Sequence, residues 1–486
     1  MSASDPWFRR QGLALLTDLY QLTMMSGYQK QGRMAQRTSF DYFFRSLPPH
    51  AGFAVMAGLE PFLDYLANLR FEPGDIEYLR GLGMFEEDFL DALSRFRITL
   101  DISAIPEGSL VYPYEPILQV EGPIFQTQLV ETALLNFLNY STLIASKAAR
   151  IGLAAGGEPV IEFGLRRAHG PDGGVMGSRA AYIGGCSATS NVLAGKVYGI
   201  PVAGTHAHSW VMSFDSELEA FRAFVRHYPK RPVLLVDTYD TLGSGVPNAI
   251  QVFKEMHAAG HPARPAIRLD SGDLAKLSKA AHRMMVEAGL DDPLIIGSND
   301  LDEDLIADLK RQGAKINAWG VGTHLITASD HPALNGVYKM VAAERGGEIV
   351  PRLKVSSNPE KATDPGRKDL VRYYDPQGNP LGDLIGLADE SLPESGNVVG
   401  CYRAYTHRQA PLGLAASSEH LLRPVMRDGV RLNPPENAEA IRARAQAQIA
   451  ALPEEFKRLR NPEIYRVMLS PRLAALKETL AAEAGG

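Results

Sequence analysis

Along the middle of this chain, apolar runs end in side chains that can do chemistry. These ends are Arg166-Arg167, Thr205-His206-Ala207-His208-Ser209, Asp237-Thr238, Arg268 with Asp270-Ser271-Gly272-Asp273, Ser298-Asn299-Asp300, and Gly322-Thr323-His324. Arginine forks bind carboxylate or phosphate. An ionised aspartate stabilises a developing cation, and an imidazole acts as base or nucleophile. Arg268 lies two positions before Asp270, so on a strand both side chains share a face. Such a pair is commonly a structural ion pair, but the Ser271-Gly272-Asp273 that follows suits a ligand clamp. Gly320, Gly322 and Thr323, and one unit earlier Gly297-Ser298-Asn299, form loops whose backbone N–H groups can approach phosphate oxygens. Either stretch can equally be a plain turn. The segment GTHAHSW (204–210) admits three readings: two satisfied polar histidines, a His-x-His metal pair, or one histidine as nucleophile or base beside an acid such as Asp237.

Seven apolar runs recur, 159–165, 200–205, 233–240, 266–272, 294–300, 316–323 and 336–342, and the first six carry these groups. Each is continuously apolar, the pattern of a strand buried on both faces. Helical spacing fills the gaps. Leu218, Phe221, Phe224 and Tyr228 follow a cap at Asp215-Ser216; Leu274, Leu277, Ala281 and Met284 stop near Gly289; Leu305, Ile306 and Leu309 stop at Gly313. This βα rhythm predicts parallel strands, and so many units in succession favour an irregular (β/α) barrel over an open sheet. In a barrel, the strand ends named above form one polar rim. The flanks are different. Residues 37–45, 101–105 and 109–120 read as strands and 125–150 as a long helix; 348–356, 369–375 and 401–405 read as strands before Ala-rich helices. The expected division is 1–150, a barrel over 151–345, and 346–486 returning to the N-terminal part.

Composition narrows the partners. With 50 basic and 56 acidic residues in 486, a net charge of −6 leaves no footprint for nucleic acid. No run is apolar enough for a membrane span, and MSASDPWFRRQGLALL lacks the pattern of a secretory signal. Two cysteines, Cys186 and Cys401, exclude a disulfide framework. The expectation is a cytoplasmic enzyme.

Several segments in order carry a resemblance: LLTDLYQLTM (15–24), EFGLRRAHGPDGG (162–174), GGCSATSNVLAGKVYGIPVAGTHAHSW (184–210), LLVDTYDTL (234–242), IRLDSGDL (267–274), IIGSNDLDE (295–303), WGVGTHLIT (319–327) and KVSSNPEKATDPGRKDLVRYY (354–374). The chain thereby resembles the nicotinate phosphoribosyltransferases, of the type II phosphoribosyltransferase class. The resemblance implies that nicotinate and phosphoribosyl pyrophosphate give nicotinate mononucleotide and pyrophosphate, coupled to ATP hydrolysis. It implies that His208 is phosphorylated, with His206 secondary. Tyr20, Thr205 and Arg268 would contact nicotinate, Phe163 and Arg166 would line the same pocket, and Thr323 would hold the 5′-phosphate. It also implies a homodimer, with Asp18 and Tyr20 reaching the partner's site, and flanks folded together into one β-rich domain.

Chemistry extends these expectations. Breaking the C1–pyrophosphate bond leaves positive charge on the ribose, for which Asp270 is the candidate carboxylate. Ser271, Gly297, Asn299 and Gly322 join the substrate-binding set, and magnesium arrives with the phosphates. Two rivals remain: a transferase for nicotinamide or quinolinate, and a metal-dependent barrel hydrolase built on His206 and His208.

Overall fold

The computed structural model describes residues 13–261, 263–354 and 361–485. The N-terminal stretch read above for a signal, up to Gln11 and Gly12, lies outside the described residues, as do the end of the 348–356 run and the centre of the KVSSNPEKATDPG motif. The chain divides into two compact units, Ile144–Pro332, and Met1–Leu143 with Ala333–Gly486.

The middle unit is built on six parallel strands. Their order is Ala188–Thr189, Val160–Glu162, Ala318–Val321, Leu294–Ser298, Ala266–Leu269 and Leu234–Leu235. The continuous apolar runs have the burial they predict: Ile267, Leu269, Ile295, Trp319, Val321, Leu234 and Leu235 are wholly buried. The helices begin where capping side chains stand. Ser216 accepts from Glu219 N–H, Asp273 from Lys276 N–H and Asp302 from Leu305 N–H, each worth ~1 kcal/mol to its helix. An ion cluster braces this unit: the buried Lys147 meets the buried Glu303 at 2.8 Å and the exposed Asp330 at 2.7 Å, and Arg150 meets Glu303 at 2.9 Å.

Two strand readings need correction. The run 200–205 forms no regular strand; Val202 makes one parallel bridge to Thr189. The run 336–342 is a strand, Gly336–Arg345, but it pairs antiparallel with Arg37–Phe44 in the other unit. A continuously apolar strand looks alike in either sheet, so periodicity could not assign it. The six parallel strands hydrogen-bond as a sheet with Ala188–Thr189 and Leu234–Leu235 at its ends, and among the described residues no ladder joins those two ends.

The other unit is β-rich, as the flanking segments suggest. A seven-stranded sheet orders Glu348–Pro351, Gly336–Arg345, Arg37–Phe44, Leu118–Pro123, Asp101–Ala104, Arg423–Arg427 and Val430–Arg431. A six-stranded sheet orders Tyr405–Ala415, Gly396–Tyr402, Val467–Leu469, Pro380–Leu387, Lys368–Tyr374 and Ser417–His420. The 401–405 run closes the first hairpin in that sheet: Cys401 and Tyr402 end one strand, Tyr405 begins the next, and 403–404 turn between them. The expected long helix is Glu131–Ala155, and the C-terminal helices are Ala438–Ala451 and Pro471–Gly485. Among the described residues no helix is long and apolar enough to cross a membrane.

Candidate active site

The strand ends of the middle unit converge on Arg268. It sits on Ala266–Leu269, in register with Ile296 on one side and Leu235 on the other. Its guanidinium is pinned by three side chains: Nε donates to Ser298 Oγ at 2.9 Å, Nη1 to Thr205 Oγ1 at 2.8 Å, and Nη2 meets Asp270 Oδ1 at 2.9 Å. The i, i+2 spacing therefore does place Arg268 and Asp270 together. The guanidinium carbon lies 5.7 Å from the centre of the Phe163 ring, close enough for cation–π attraction.

Phe163 owes its place to a glycine. A Cβ on Gly320 would stand 2.6 Å from its ring, so the neighbouring strand must be bare there. Beneath it, Glu162 is wholly buried and accepts from Gly164 N–H, from Ser178 Oγ at 2.9 Å and from Thr189 Oγ1 at 2.5 Å. Burial pushes this carboxyl above its usual range, against those donors. Glu162 thus ties the turn after its own strand to two neighbouring elements. That turn carries Arg166 and Arg167, both exposed on the short Leu165–Arg167 helix.

Asp270 is held from both sides. Ser298 Oγ donates to its Oδ1 at 2.6 Å, and its backbone N–H donates to Asp237 Oδ2 at 2.7 Å. The Ser271 hydroxyl donates to the same Asp237 oxygen at 2.7 Å. Burial works against the Asp270 charge, but the Ser298 hydroxyl, Arg268 and His208 outweigh it and hold the carboxyl below its ordinary value. Its second oxygen, Oδ2, lies 3.9 Å from His208 Nε2, while His208 Nδ1 lies 3.1 Å from Thr238 Oγ1.

The two histidines do not form a metal pair. His208 opens a short helix, His208–Met212, and 203–207 form no strand, so the alternation that would place both rings on one face is absent. His206 is buried against Phe224, and its Nε2 accepts from Leu235 N–H at 3.2 Å. Among the described residues no group of three or more His, Cys, Asp or Glu is placed to hold a metal.

The candidate phosphate loops divide. Gly297 is buried within its strand, and a Cβ there would stand 2.8 Å from Ile316 Cδ1, so its bareness serves packing. Asn299, with φ 90°, and Asp300, with φ 43°, turn through the left-handed region just after that strand, a conformation that clusters at functional sites. On the adjacent strand, Gly322 precedes Thr323, which opens the short Thr323–Ile326 helix. Ser298 and Gly320 are register partners, which sets these two loops side by side. Asp18 and Tyr20 belong to the other unit. There, Asp18 Oδ2 accepts from Thr132 Oγ1 at 2.8 Å, and Tyr20 is half exposed.

In the sequence, Asp237 is a candidate acid for a histidine, Thr238 only a polar strand end and Ser298 part of a candidate phosphate loop; the structure gives His208 Thr238 as its partner and turns Asp237 to the 270–271 turn. Their roles as clasp, histidine partner and arginine partner are tertiary, and no spacing rule announces them.

Residues 159–372 match the model of the nicotinate phosphoribosyltransferase (NAPRTase) family; residues 15–139 match its N-terminal domain and 367–477 its C-terminal domain. The Bacillus subtilis protein named nicotinate phosphoribosyltransferase is 45% identical over 95% of this chain and 94% of its own length. The chain belongs to the nicotinate phosphoribosyltransferase family. The human nicotinate phosphoribosyltransferase is 37% identical over 98% of both chains. A crystal structure of human nicotinic acid phosphoribosyltransferase superposes with a TM-score of 0.85 at 34% identity, covering 96% of this chain and all of that one. The fold alone is shared with nicotinate-nucleotide pyrophosphorylase from Pyrococcus furiosus, with a TM-score of 0.70 at 24% identity over 93% and 97% of the two chains.

Proposed function

We propose that this chain transfers the phosphoribosyl group of phosphoribosyl pyrophosphate to nicotinate, coupled to ATP hydrolysis through a phosphorylated His208. The fixed guanidinium beside an aromatic ring carries the proposal. Three of the five Arg268 N–H groups serve Ser298, Thr205 and Asp270, and the remaining two suit a carboxylate. A planar aromatic acid stacked on Phe163 satisfies both features at once. The Arg268–Asp270 pair is neutral as a unit, so the second carboxylate of quinolinate would depend on the exposed Arg166 and Arg167. Membership of the family supports the same substrate.

Asp270, kept ionised by its partners, faces the positive charge that grows on the ribose as the C1–oxygen bond breaks. Asp237 keeps that carboxylate in place by clasping the 270–271 turn. Asn299, Ser271, Gly322 and Thr323 take the phosphates in this reading, supported by the adjacency of their loops. For His208, a proton on Nδ1 directed to Thr238 leaves the Nε2 lone pair to attack the γ-phosphorus of ATP. The phosphorus–oxygen bond to ADP breaks, and water later removes the phosphoryl group as phosphate.

The donor set fits a magnesium ion that travels on phosphate oxygens and keeps several waters. Asp237, whose buried Oδ1 has no hydrogen-bond partner, would be the carboxylate to hold it. When bound, the ion neutralises charge on the phosphates. We extend the proposal to an irregular barrel, because segment 201–206 runs between the two end strands of the parallel sheet. It also includes a cytoplasmic homodimer in which Asp18 and Tyr20 serve the second copy's pocket. Support for this comes from Leu19 and Tyr20, each 49% exposed.

Labelled phosphoribosyl pyrophosphate offered with nicotinate, nicotinamide or quinolinate, with and without ATP, tests the assignment. Nicotinate should be preferred and ATP should stimulate. Chelation of magnesium should abolish turnover while leaving the melting temperature of the substrate-free protein unchanged. Preference for nicotinamide or quinolinate overturns the substrate assignment.

Ser298→Ala probes the electrostatics. It removes a hydrogen bond to a charged group worth ~1.5–3 kcal/mol, so kcat/KM should fall roughly ten- to a hundredfold. The folded Asp270 carboxyl lies below its ordinary value, so its charge is present above that value and lost as pH falls through the folded one. Without Ser298 the acid limb of the pH–rate profile should move to higher pH; an unmoved limb contradicts the role given to Asp270.

A further inference from the structure

We infer that His206 is a positioning residue: its Nε2 stands in for the missing neighbour of the Leu234–Leu235 strand and so fixes the Thr205–His208 loop over the sheet end. The inference rests on the transferase reading for its consequences in catalysis, but the strand-edge role is independent of it.

Leu235 is the last strand residue at one end of the parallel sheet and is wholly buried. On the inner side the next residue, Val236, donates its N–H to Arg268 O at 3.3 Å. Alternation along a strand directs the Leu235 N–H the other way, where, among the described residues, no strand pairs with it. An unmet N–H there would carry the full desolvation penalty. Instead it donates to His206 Nε2 at 3.2 Å. An Nε2 that accepts carries no proton, so the neutral ring is protonated on Nδ1, which faces Ala207 O at 3.3 Å. The ring packs edge-on against Phe224, with centroids 4.7 Å apart, and lies 6.2 Å from Phe221. Burial, with smaller effects from the nearby Arg268 and His208, outweighs the Ala207 carbonyl and brings the imidazole down to about 4. The acceptor is therefore present throughout the neutral range.

The other end of the same segment is tied by its backbone. Thr189 N–H donates to Pro201 O and Ala203 N–H to Thr189 O, both at 3.0 Å. Segment 201–206 thus bridges the two end strands, with backbone bonds at one and an imidazole at the other. Its neighbours are the groups the reaction uses. Thr205 Oγ1 accepts from Arg268 Nη1 and donates to His206 O at 3.1 Å. His208 lies two residues on, beside Thr238. Anchoring His206 therefore sets the approach of Thr205 to Arg268 and of His208 to Thr238.

Amide hydrogen exchange and steady-state kinetics on the full-length protein test this with two variants. His206→Gln keeps an oxygen acceptor at about the reach of Nε2, whereas His206→Leu keeps the bulk and loses the acceptor. Exchange at Leu235 should quicken about tenfold or more in His206→Leu and stay slow in His206→Gln. The ATP-stimulated kcat/KM for nicotinate should drop about tenfold in His206→Leu, with KM raised, and lie within about threefold of wild type in His206→Gln. Unchanged exchange at Leu235 in His206→Leu overturns the proposal, as does a glutamine variant that behaves like the leucine one. Should wild type show no nicotinate activity while Leu235 protection still depends on His206, the strand-edge role stands and the transferase reading fails.

Discussion

Arg268→Ala should lower kcat/KM for nicotinate about a hundredfold or more, chiefly through KM. Losing one partner of a buried ion pair costs ~3–5 kcal/mol, and ~1.4 kcal/mol is tenfold in rate. The pair is partly open, with the two side chains 14% and 23% exposed, which places the expectation at the lower end of that range. The loss has two sources. The ligand carboxylate loses its fork, and Asp270 keeps its burial but loses its cation. Arg268→Lys separates them, because an ammonium restores charge to Asp270 but cannot serve Ser298, Thr205 and Asp270 in their fixed geometry. Its kcat/KM should fall between wild type and alanine. Steady-state kinetics with nicotinate varied, beside thermal unfolding of both variants, measures this. An alanine variant with wild-type KM for nicotinate would remove Arg268 from the pocket.

His208→Ala should abolish stimulation by ATP while slow basal transfer persists. The imidazole is the nucleophile in the proposed coupling, and covalent or proton-transfer groups of this kind are worth about 10²–10⁴ in rate. The hydrogen bonds that hold Arg268 and Asp270 to Ser298, Thr205 and Asp237 do not involve its ring. The geometry adds a second expectation. Thr238→Val removes the oxygen 3.1 Å from Nδ1 and frees the ring to take the other tautomer, so ATP stimulation should weaken without vanishing. Incubation with γ-labelled ATP, followed by an assay for acid-labile, alkali-stable label on the protein, reads the same step directly. Full ATP stimulation in His208→Ala would end the phosphohistidine assignment.

Much of this site is legible in the order of the residues. Buried parallel strands alternating with helices put all strand ends on one side of a sheet, so that rhythm makes near neighbours of Arg268, Asp270, His208 and Thr205. The two-residue period of a strand is enough to pair Arg268 with Asp270. What periodicity does not carry is partner choice. The 336–342 run, apolar but for Lys339, passes for another strand of the same sheet, yet it hydrogen-bonds to Arg37–Phe44. Gly297 has the look of a phosphate turn, and its missing Cβ makes room for Ile316. His206 and His208 read as a matched pair, until the helix that begins at His208 separates them.

Residue type and local period therefore settle five of the six parallel strands of the middle unit and the polar residues at their ends, but miss Ala188–Thr189. Folding in three dimensions settles the rest: which hydroxyls and carboxylates pin Arg268, that Asp237 clasps the Asp270 turn, and that one imidazole is spent on a backbone N–H. Those are choices among hydrogen-bond partners about 30 to 60 residues apart along the chain, decided by burial, where every unmet donor is costly.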